Sequence, residues 1–328
     1  MFWTNSQDAA MVAFLRDAAR LARMVRDELA PASLTKEDRS PVTVADFSVQ
    51  ALAGMRLGAA YPGVPIVGEE SSALLKGPGG AESLRQVVGY VRRFQERATS
   101  RQVCDWIDRG GGSPCGKFWV LDPVDGTKGF LRGGQYAVSL GLIEDGVVTL
   151  GGLACPALGL DGEPGNGVIA VARRGRGAVI VPLDAPEFCR PIRVSPCADP
   201  RRAVLLRSFE SGHTNVDRTE AVIRHLGMKA PAVPMDSQTK YAMLAAGYGD
   251  LILRMPSPEA PDYREKIWDH AGGVVVLEEA GGRVTDIEGN PYDFTRGRRL
   301  EGNVGLLASN GALHAAALEA IRRTADSG

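Results

Sequence analysis

Two periodicities divide the chain into predicted helices and strands. Apolar residues recur at helical spacing over residues 6–30, where the pattern ends before Pro31, and a second helical pattern runs from Val44 to Ala60. A third helix with an exposed face is predicted over 81–98. Runs rich in β-branched residues predict these strands: Pro65–Val67, Phe118–Leu121, Tyr136–Ile143, Val147–Ala154, Val168–Ala172 and Ala178–Val181. The last four form two predicted hairpins, because turn residues separate the members of each pair.

The second half of the chain alternates between strand and helix. Strands are predicted at 203–206, 232–235, 250–253 and 283–286, and helices at 215–226, 239–246, 268–280 and 311–323. Between the halves, residues 182–200 are rich in proline and lack periodicity, which predicts a connection between two sub-domains. The alternation indicates an α/β layer that follows the hairpin-rich first half.

The composition is typical of a water-soluble globular chain. Its 328 residues, 44% of them hydrophobic, can form one large domain or two closely packed ones. With 38 basic and 39 acidic residues the net charge is −1, so nothing favours binding to a nucleic-acid polymer. No apolar run approaches the ~20 residues that span a bilayer, and no secretory signal is visible. Five cysteines without a CxxC pair fit a reducing compartment, so a cytoplasmic protein is expected.

The strand Phe118–Leu121 leads directly into two carboxylates, Asp122 and Asp125, on either side of Pro123. Proline has no backbone donor, so the chain is predicted to turn there. Two acids at the end of a buried strand repel each other, and neither is left unpaired at low cost. A hard divalent cation such as magnesium resolves that conflict, because it prefers oxygen ligands. An acidic turn that caps a helix is the alternative when the motif is taken alone.

Acids stand at the ends of predicted elements in three further places. Asp46 and Asp269 are each predicted in the first turn of a helix, and Glu69 with Glu70 follows the short strand Pro65–Val67. Each has an ordinary explanation, since acids complement a helix dipole and are solvated in loops. Their shared placement indicates a common site, which the sequence alone leaves open.

Three motifs, GEES (68–71), LDPVDGTKGF (121–130) and WDHAGG (268–273), resemble the magnesium-dependent, lithium-sensitive phosphatases, a superfamily that includes inositol monophosphatase and fructose-1,6-bisphosphatase. Within it, DSQTKY (236–241) and EKIWDH (265–270) are most similar to the 3′(2′),5′-bisphosphate nucleotidases of plants and fungi. The resemblance extends from about residue 36 to 310.

The resemblance implies a site that holds two or three Mg²⁺ ions. Glu69, Asp122 and the carbonyl of Val124 would hold the first ion, and Asp122, Asp125 and Asp269 the second, so that Asp122 bridges the two. A third, water-rich ion would lie beside Glu69. The remaining implied residues act on water and phosphate: Asp46 and Thr127 would activate the attacking water, and the N–H groups of Gly126 and Thr127 would bind a phosphate oxygen.

On the substrate side, the resemblance assigns His213, Ser237, Lys240 and Arg254 to the nucleotide and its second phosphate. Without it, these would be a surface histidine, a helix-capping serine and two solvated cations. Ser237 and Lys240 are predicted three residues apart at the start of a short helix, which presents a donor and a cation together.

The fold implied by the resemblance is an α/β sandwich of five layers, α-β-α-β-α. An N-terminal α+β domain (1–182) would carry most of the metal ligands, and a C-terminal α/β domain (183–328) the nucleotide-facing residues. The glycine-rich segment 108–116 is expected to be a mobile loop. A pairing of Cys104 with Cys115 stays open, as does the choice between monomer and dimer.

The implied reaction is hydrolysis of the 3′-phosphate of adenosine 3′,5′-bisphosphate, a small phosphorylated nucleotide, or of its sulfated analogue. An inositol mono- or bisphosphate phosphatase is the alternative enzyme, because inositol bisphosphates also carry a second phosphate. A catalytically silent phosphonucleotide sensor is the alternative of another class. The Asp46–Thr127 pair favours an enzyme over a sensor, because a sensor has no need to activate water.

Overall fold

The computed structural model describes residues 6–33, 41–185, 187–209 and 214–325. The helices are α1 Ser6–Ser33, α2 Pro41–Ala60, α3 Ala73–Lys76, α4 Ala81–Val91, α5 Ser100–Asp108, α6 Thr127–Leu131, α7 Val216–Leu226, α8 Thr239–Ala245, α9 Ala271–Glu279 and α10 His314–Ala325. The strands are β1 Ile66–Gly68, β2 Lys117–Asp125, β3 Ala137–Glu144, β4 Val147–Cys155, β5 Val168–Arg173, β6 Ala178–Pro182, β7 Arg190–Ile192, β8 Leu205–Arg207, β9 Val233–Pro234, β10 Leu251–Arg254, β11 Arg283–Thr285 and β12 Leu306–Ser309. Single 3-10 turns lie at Pro200–Arg202 and Ile267–Asp269.

The first sheet lies between two helical layers. Its strands follow chain order from β1 to β7, with β1 parallel to β2 and each later neighbour antiparallel. Side chains alternate along β2: Trp119 and Leu121 pack in the core that α1 and α2 cover, whereas Phe118 and Val120 pack in the core that α8 and α9 cover. Because both faces are buried, the start of this strand is a continuous apolar run.

The second sheet is mixed and completes the layers. Its order is β11-β12-β10-β8-β9. β8 is parallel to its neighbours β10 and β9, and β12 is antiparallel to its neighbours β11 and β10. Along β10, Ile252 packs in the core with α8 and α9, and Leu251 and Leu253 pack with α7 and α10 on the outer face. The layers therefore run α, β, α, β, α, which confirms the predicted five-layer sandwich.

Several predicted element bounds are wrong. α1 continues through Pro31 to Ser33. The helix predicted over 81–98 ends at Val91, and α5 then begins as a separate helix with a capping box between Thr99 and Gln102, a local signal that the periodicity does not reveal. β7 lies inside residues 182–200, the segment predicted as a connection between two sub-domains. It pairs with β6 and therefore belongs to the first sheet.

The glycine-rich segment 108–116 is held against β1, contrary to the mobile loop expected. The N–H of Gly112 donates to the carbonyl of Ile66 at 2.9 Å, and the N–H of Gly68 donates to the carbonyl of Gly110 at 2.8 Å. A Cβ at Gly112 would lie 2.6 Å from the Ile66 carbonyl oxygen. Glycine here permits close approach of two backbones, and it does not indicate mobility.

Cys104 and Cys115, like the other three cysteines, are free thiols in this structure. Burial raises the pKa of Cys104. Within the described ranges, none of the helices combines the length and apolarity needed to cross a bilayer.

Candidate active site

The acidic turn of the sequence lies in the last residues of β2. The strand continues to Asp125, so the predicted turn at Pro123 is wrong. Its register against β3 shifts between Asp122 and Asp125, and this bulge accommodates a proline that has no N–H for the ladder. The sheet thus carries both carboxylates to its edge, with Asp122 only 3% exposed.

Gly126 then reverses the chain with a φ of 87°, and α6 begins at Thr127. This left-handed conformation suits glycine. A Cβ at Gly129, inside α6, would lie 2.1 Å from the carbonyl oxygen of Gln135 and 2.8 Å from Oδ2 of Asp236. Both glycines of the GTKG segment are therefore required by the close packing of the turn.

Glu69 reaches the same edge from the neighbouring strand. β1 is parallel to β2, with Gly68 opposite Leu121. Because Gly68 lies opposite Leu121 in this parallel pair, the next residues, Glu69 after the end of β1 and Asp122 within β2, lie side by side.

Two further carboxylates come from helical segments. Asp46 is 6% exposed and lies in the second turn of α2, which begins at Pro41 and not at the predicted Val44. Asp269 ends the 3-10 turn before α9, where its Oδ2 accepts the N–H of Lys266 at 3.1 Å. Neither acid lies in the first turn of an α-helix as predicted, so neither is placed there to complement an α-helix dipole.

The five carboxylates perturb one another's protonation. Burial, followed by the charges of Asp125, Glu69, Asp269 and Asp46, raises the pKa of Asp122 well above its usual value. Burial and the Glu70 and Asp269 charges raise the pKa of Glu69 to about 7, and burial raises that of Asp269 to about 6. The pKa of Asp46 is also raised well above normal, by burial and then by Glu70 and Glu69. These acids therefore lie close enough for their charges to act on one another.

This donor set fits a hard divalent cation. All the predicted side-chain ligands are carboxylates, and Oδ1 of Asp122 is buried without a hydrogen-bond partner. In their present rotamers, however, no three acidic, histidine or cysteine side chains of the described residues are close enough to hold an ion. One oxygen of Asp125 accepts the N–H of Gln238 at 2.5 Å, and one of Asp269 accepts that of Lys266.

A cavity of about 470 Å³ opens beside these acids. The predicted site residues that line it are Asp125, Gly126, Thr127, Ser237, Lys240, Arg254 and Asp269. The other predicted residues that the structure describes, Asp46, Glu69, Asp122 and Val124, do not line it, and all of them except Glu69 are buried. His213 lies outside the described residues. The cavity wall also includes exposed aromatic groups that the sequence did not single out, Phe209 and Tyr263.

Ser237 precedes α8 and does not belong to it, contrary to the predicted helical pair. Its φ of 65° is unusual for a residue with a side chain, and its Oγ accepts the N–H of Thr239 at 3.1 Å. Strain of this kind concentrates at functional sites. Ser237 and Lys240 both line the cavity, Ser237 from the turn before α8 and Lys240 from α8 itself.

Lys240 is the cation nearest in sequence to that turn. Its Nζ donates to the carbonyl of Met235 at 3.1 Å and to Oγ of Ser208 at 3.3 Å. Burial lowers the pKa of Lys240 to about 8, although the charge of Asp125 opposes the shift. A half-buried ammonium at the cavity wall is well placed to bind an anion.

Arg254 lies at the head of a buried polar chain that the sequence analysis missed. Its Nε is 2.8 Å from Oε1 of Glu265, whose Oε2 makes a short contact with Nε2 of His270. Nδ1 of His270 in turn lies 2.9 Å from the hydroxyl of Tyr241. Burial works to raise the pKa of Glu265, but the charges of His270 and Arg254 lower it to about 2. The EKIWDH motif contains both Glu265 and His270, and only its Asp269 had been given a role.

The chain belongs to the inositol monophosphatase family, whose model matches residues 6–325. It is 39% identical over 334 residues to the 3′(2′),5′-bisphosphate nucleotidase of Emericella nidulans, covering 93% of this chain and 94% of that one. It is 40% identical over 328 residues to 3′(2′),5′-bisphosphate nucleotidase 1 of Arabidopsis thaliana, covering 93% and 92%. The resemblance stated from the motifs is confirmed.

Two solved structures share the fold. The inositol monophosphatase of Anabaena matches with a TM-score of 0.61 at 21% identity, covering 95% of each chain. Mycobacterium tuberculosis SuhB matches with a TM-score of 0.63 at 20% identity, covering 97% of this chain and 96% of that one.

Proposed function

We propose that this protein is a magnesium-dependent phosphomonoesterase that hydrolyses the 3′-phosphate of adenosine 3′,5′-bisphosphate to give AMP and phosphate. The sulfated analogue, 3′-phosphoadenylyl sulfate, would give adenylyl sulfate in the same way. The observation that carries the proposal is one cavity that is lined both by the carboxylates Asp125 and Asp269 and by the cations Lys240 and Arg254. Relatives at 39–40% identity that are named 3′(2′),5′-bisphosphate nucleotidases support the choice of substrate.

The proposed cofactor is Mg²⁺, in two to three ions. Glu69, Asp122 and the carbonyl of Val124 would hold one, and Asp122, Asp125 and Asp269 another. Bound magnesium supplies positive charge that stabilises the entering and leaving oxygens and makes water more acidic. The partnerless Oδ1 of Asp122 and the raised pKa values of the acids around it support this assignment.

The residues of the chain divide the remaining tasks. Asp46 accepts the proton of the attacking water, and the hydroxyl of Thr127 orients that water; the contact between α2 and α6 supports this pairing. The N–H groups of Gly126 and Thr127 hold an oxygen of the reacting phosphate. Fixed donors of this kind act mainly by positioning and by charge.

Lys240 and Arg254 bind the phosphate that does not react, together with Ser237 and His213. The buried carboxylate of Glu265 orients Arg254. A charge-assisted hydrogen bond from either cation contributes about 1.5–3 kcal/mol. The two groups therefore favour a doubly phosphorylated substrate.

An inositol bisphosphate also has two phosphates, so an inositol phosphatase is the second candidate for this cavity. The decisive experiment is a panel of phosphate-release assays in magnesium. It compares adenosine 3′,5′-bisphosphate, 3′-phosphoadenylyl sulfate, inositol 1,4-bisphosphate and inositol 1-phosphate. We expect the highest kcat/KM for the two nucleotides, and a preference for inositol 1,4-bisphosphate would replace the proposal with the second candidate.

We propose a cytoplasmic location because the cysteines are not joined in disulfides. All five cysteines are free, including exposed Cys115 and Cys189, as is usual in a reducing compartment.

A further inference from the structure

The turn Gly68–Glu70, which carries the proposed ligand Glu69, is held by a buried glutamine on α2. Oε1 of Gln50 accepts the N–H of Glu70 at 2.9 Å, and Nε2 donates to the carbonyl of Glu70 at 2.6 Å. The same Nε2 donates to the carbonyl of Ile107 at 2.8 Å. One carboxamide thus satisfies both backbone groups of the residue next to Glu69.

The surrounding backbone is shaped to admit this side chain. A Cβ at Gly68 would lie 2.5 Å from Oε1 of Gln50, and a Cβ at Gly110 would lie 2.4 Å from its Nε2. Gln50 is 1% exposed. It lies four residues after Asp46, one turn along α2, so a single helix presents the proposed water-activating acid and the group that holds the turn.

The opposite side of the same turn is held from the second half of the chain. The guanidinium of Arg298 donates from Nη2 to the carbonyl of Gly68. Its Cζ lies 5.0 Å from the centroid of the Trp268 ring, over which it stacks. Trp268 directly precedes Asp269, so Arg298 touches the segments of two proposed ligands at once.

We propose that Gln50 and Arg298 are positioning residues that fix the Glu69 turn relative to Asp269, so that each carboxylate reaches the magnesium ion it is proposed to hold. This inference rests on the proposed metal site. Glu69 and Asp269 are 200 positions apart and repel each other when ionised, so their separation depends on groups that hold their backbones. Removing a contact that holds a metal ligand in place typically lowers metal affinity 10- to 100-fold.

The sharpest variant is Arg298→Met, with Arg299→Met as the matched control. Arg299 is the next residue, is likewise partly buried, and also donates to a backbone carbonyl, that of Arg264 at 3.0 Å. Its hydrogen bond is made to Arg264 and not to the Glu69 turn. Arg298→Lys is a third variant, which keeps a cation beside Trp268 but cannot reproduce the planar guanidinium.

The readout is Mg²⁺ binding by isothermal titration calorimetry, without substrate. We expect the Kd for Mg²⁺ to rise 10- to 100-fold in Arg298→Met, less in Arg298→Lys, and not at all in Arg299→Met. Gln50→Met should weaken Mg²⁺ binding to a similar degree. The affinity for AMP in excess chelator should remain that of the parent in Arg298→Met, because Arg298 does not line the cavity.

A purely structural role predicts a different pattern. If Arg298→Met lowers the melting temperature and binds Mg²⁺ as tightly as the parent, the inference is wrong and the proposed function is untouched. Equal weakening in Arg298→Met and Arg299→Met would also overturn it. If the parent protein itself binds no Mg²⁺, the metal site falls and this inference falls with it.

Discussion

Gly126 and Ser237 approach so closely that a Cβ added to Gly126 would lie 2.7 Å from the Cβ of Ser237. Both residues have positive φ, 87° and 65°. Gly126 follows the acids of the first sheet, and Ser237 precedes the helix that carries Lys240. The contact therefore joins the segment that carries the proposed metal ligands Asp122 and Asp125 to the segment that carries Lys240.

Gly126→Ala should disrupt both the backbone and this contact. Gly133→Ala is the matched control, because Gly133 also has positive φ, 72°, but a Cβ there would meet nothing within 4 Å. Backbone strain of this type costs about 1–3 kcal/mol, and Gly133→Ala should lose that amount with its activity intact. Gly126→Ala should lose more stability and at least ~10-fold in kcat/KM, the cost of a contact worth about 1.4 kcal/mol. Urea unfolding measures the loss of stability, and steady-state kinetics measures the loss of kcat/KM.

Equal loss of stability in the two variants, with both fully active, would mean that the approach of Gly126 to Ser237 has no part in catalysis.

Asp122→Asn and Asp46→Asn should separate metal binding from water activation. Asp122 is proposed to contact both ions, so its substitution should abolish Mg²⁺ binding in calorimetry along with turnover. Asp46 is proposed to act on water only, so Asp46→Asn should bind Mg²⁺ as the parent does and lose about 10²–10⁴-fold in kcat. Parent-like kcat in Asp46→Asn would remove it from the mechanism, and parent-like Mg²⁺ affinity in Asp122→Asn would remove the bridging role.

Lys240→Ala should raise KM for adenosine 3′,5′-bisphosphate with little change in kcat. If Lys240 binds the 5′-phosphate, it contacts charge that does not change during the reaction. Loss of one charge-assisted contact, about 1.5–3 kcal/mol, corresponds to roughly ten- to hundredfold in KM. Hydrolysis of 3′-AMP, which lacks the second phosphate, is the internal control and should be unchanged. Parallel losses on both substrates, with normal circular dichroism, would show that Lys240 does not bind the second phosphate.

The pKa of Lys240, about 8, predicts a pH dependence of product binding. Lysine is a cation below its pKa, so the charge that attracts phosphate is lost as pH rises through 8. The affinity for AMP, measured by calorimetry in chelator, should fall between pH 7 and 9. Lys240→Arg keeps its charge throughout this range and should show a flatter profile. Identical profiles for the parent and Lys240→Arg would assign the titration to another group.

Much of the fold could be predicted from the sequence because local signals agreed with the tertiary structure. The turn Glu144–Gly146 is one case: Asp145 and Gly146 both have positive φ in the structure, which is the geometry of a tight hairpin. The apolar start of β2 is another, since both faces of that strand are buried. Asp122 and Glu69 could be grouped as candidates for a common site because each comes after a predicted strand, and Asp125 lies three residues beyond Asp122 in the same motif.

The errors came where tertiary contacts override a local rule. Pro123 stays within β2 because a bulge removes the need for its missing donor. The glycines at 110–112 lie against β1, where they permit close backbone contact, and in sequence they are indistinguishable from those of a mobile loop. β7 and β12 were missed, the first being only three residues long.

The residues that support the site left almost no signal in the sequence. Gln50 stands in an apolar helical pattern, where its spacing from Asp46 was the only clue to a shared face. Arg298 belongs to no motif, and its contact with Gly68 joins positions 230 apart. Glu265 lay within a quoted motif, but its pairing with Arg254 became visible only once both were placed beside the cavity.

The most direct test is to identify the products of adenosine 3′,5′-bisphosphate by ³¹P nuclear magnetic resonance, with Mg²⁺ and with excess chelator. We predict that with Mg²⁺ the 3′-phosphate resonance is replaced by that of inorganic phosphate while the 5′-phosphate of AMP persists, and that chelator stops the reaction. Formation of 3′-AMP, undiminished turnover in chelator, or an inert nucleotide under conditions that consume inositol 1-phosphate would contradict the account.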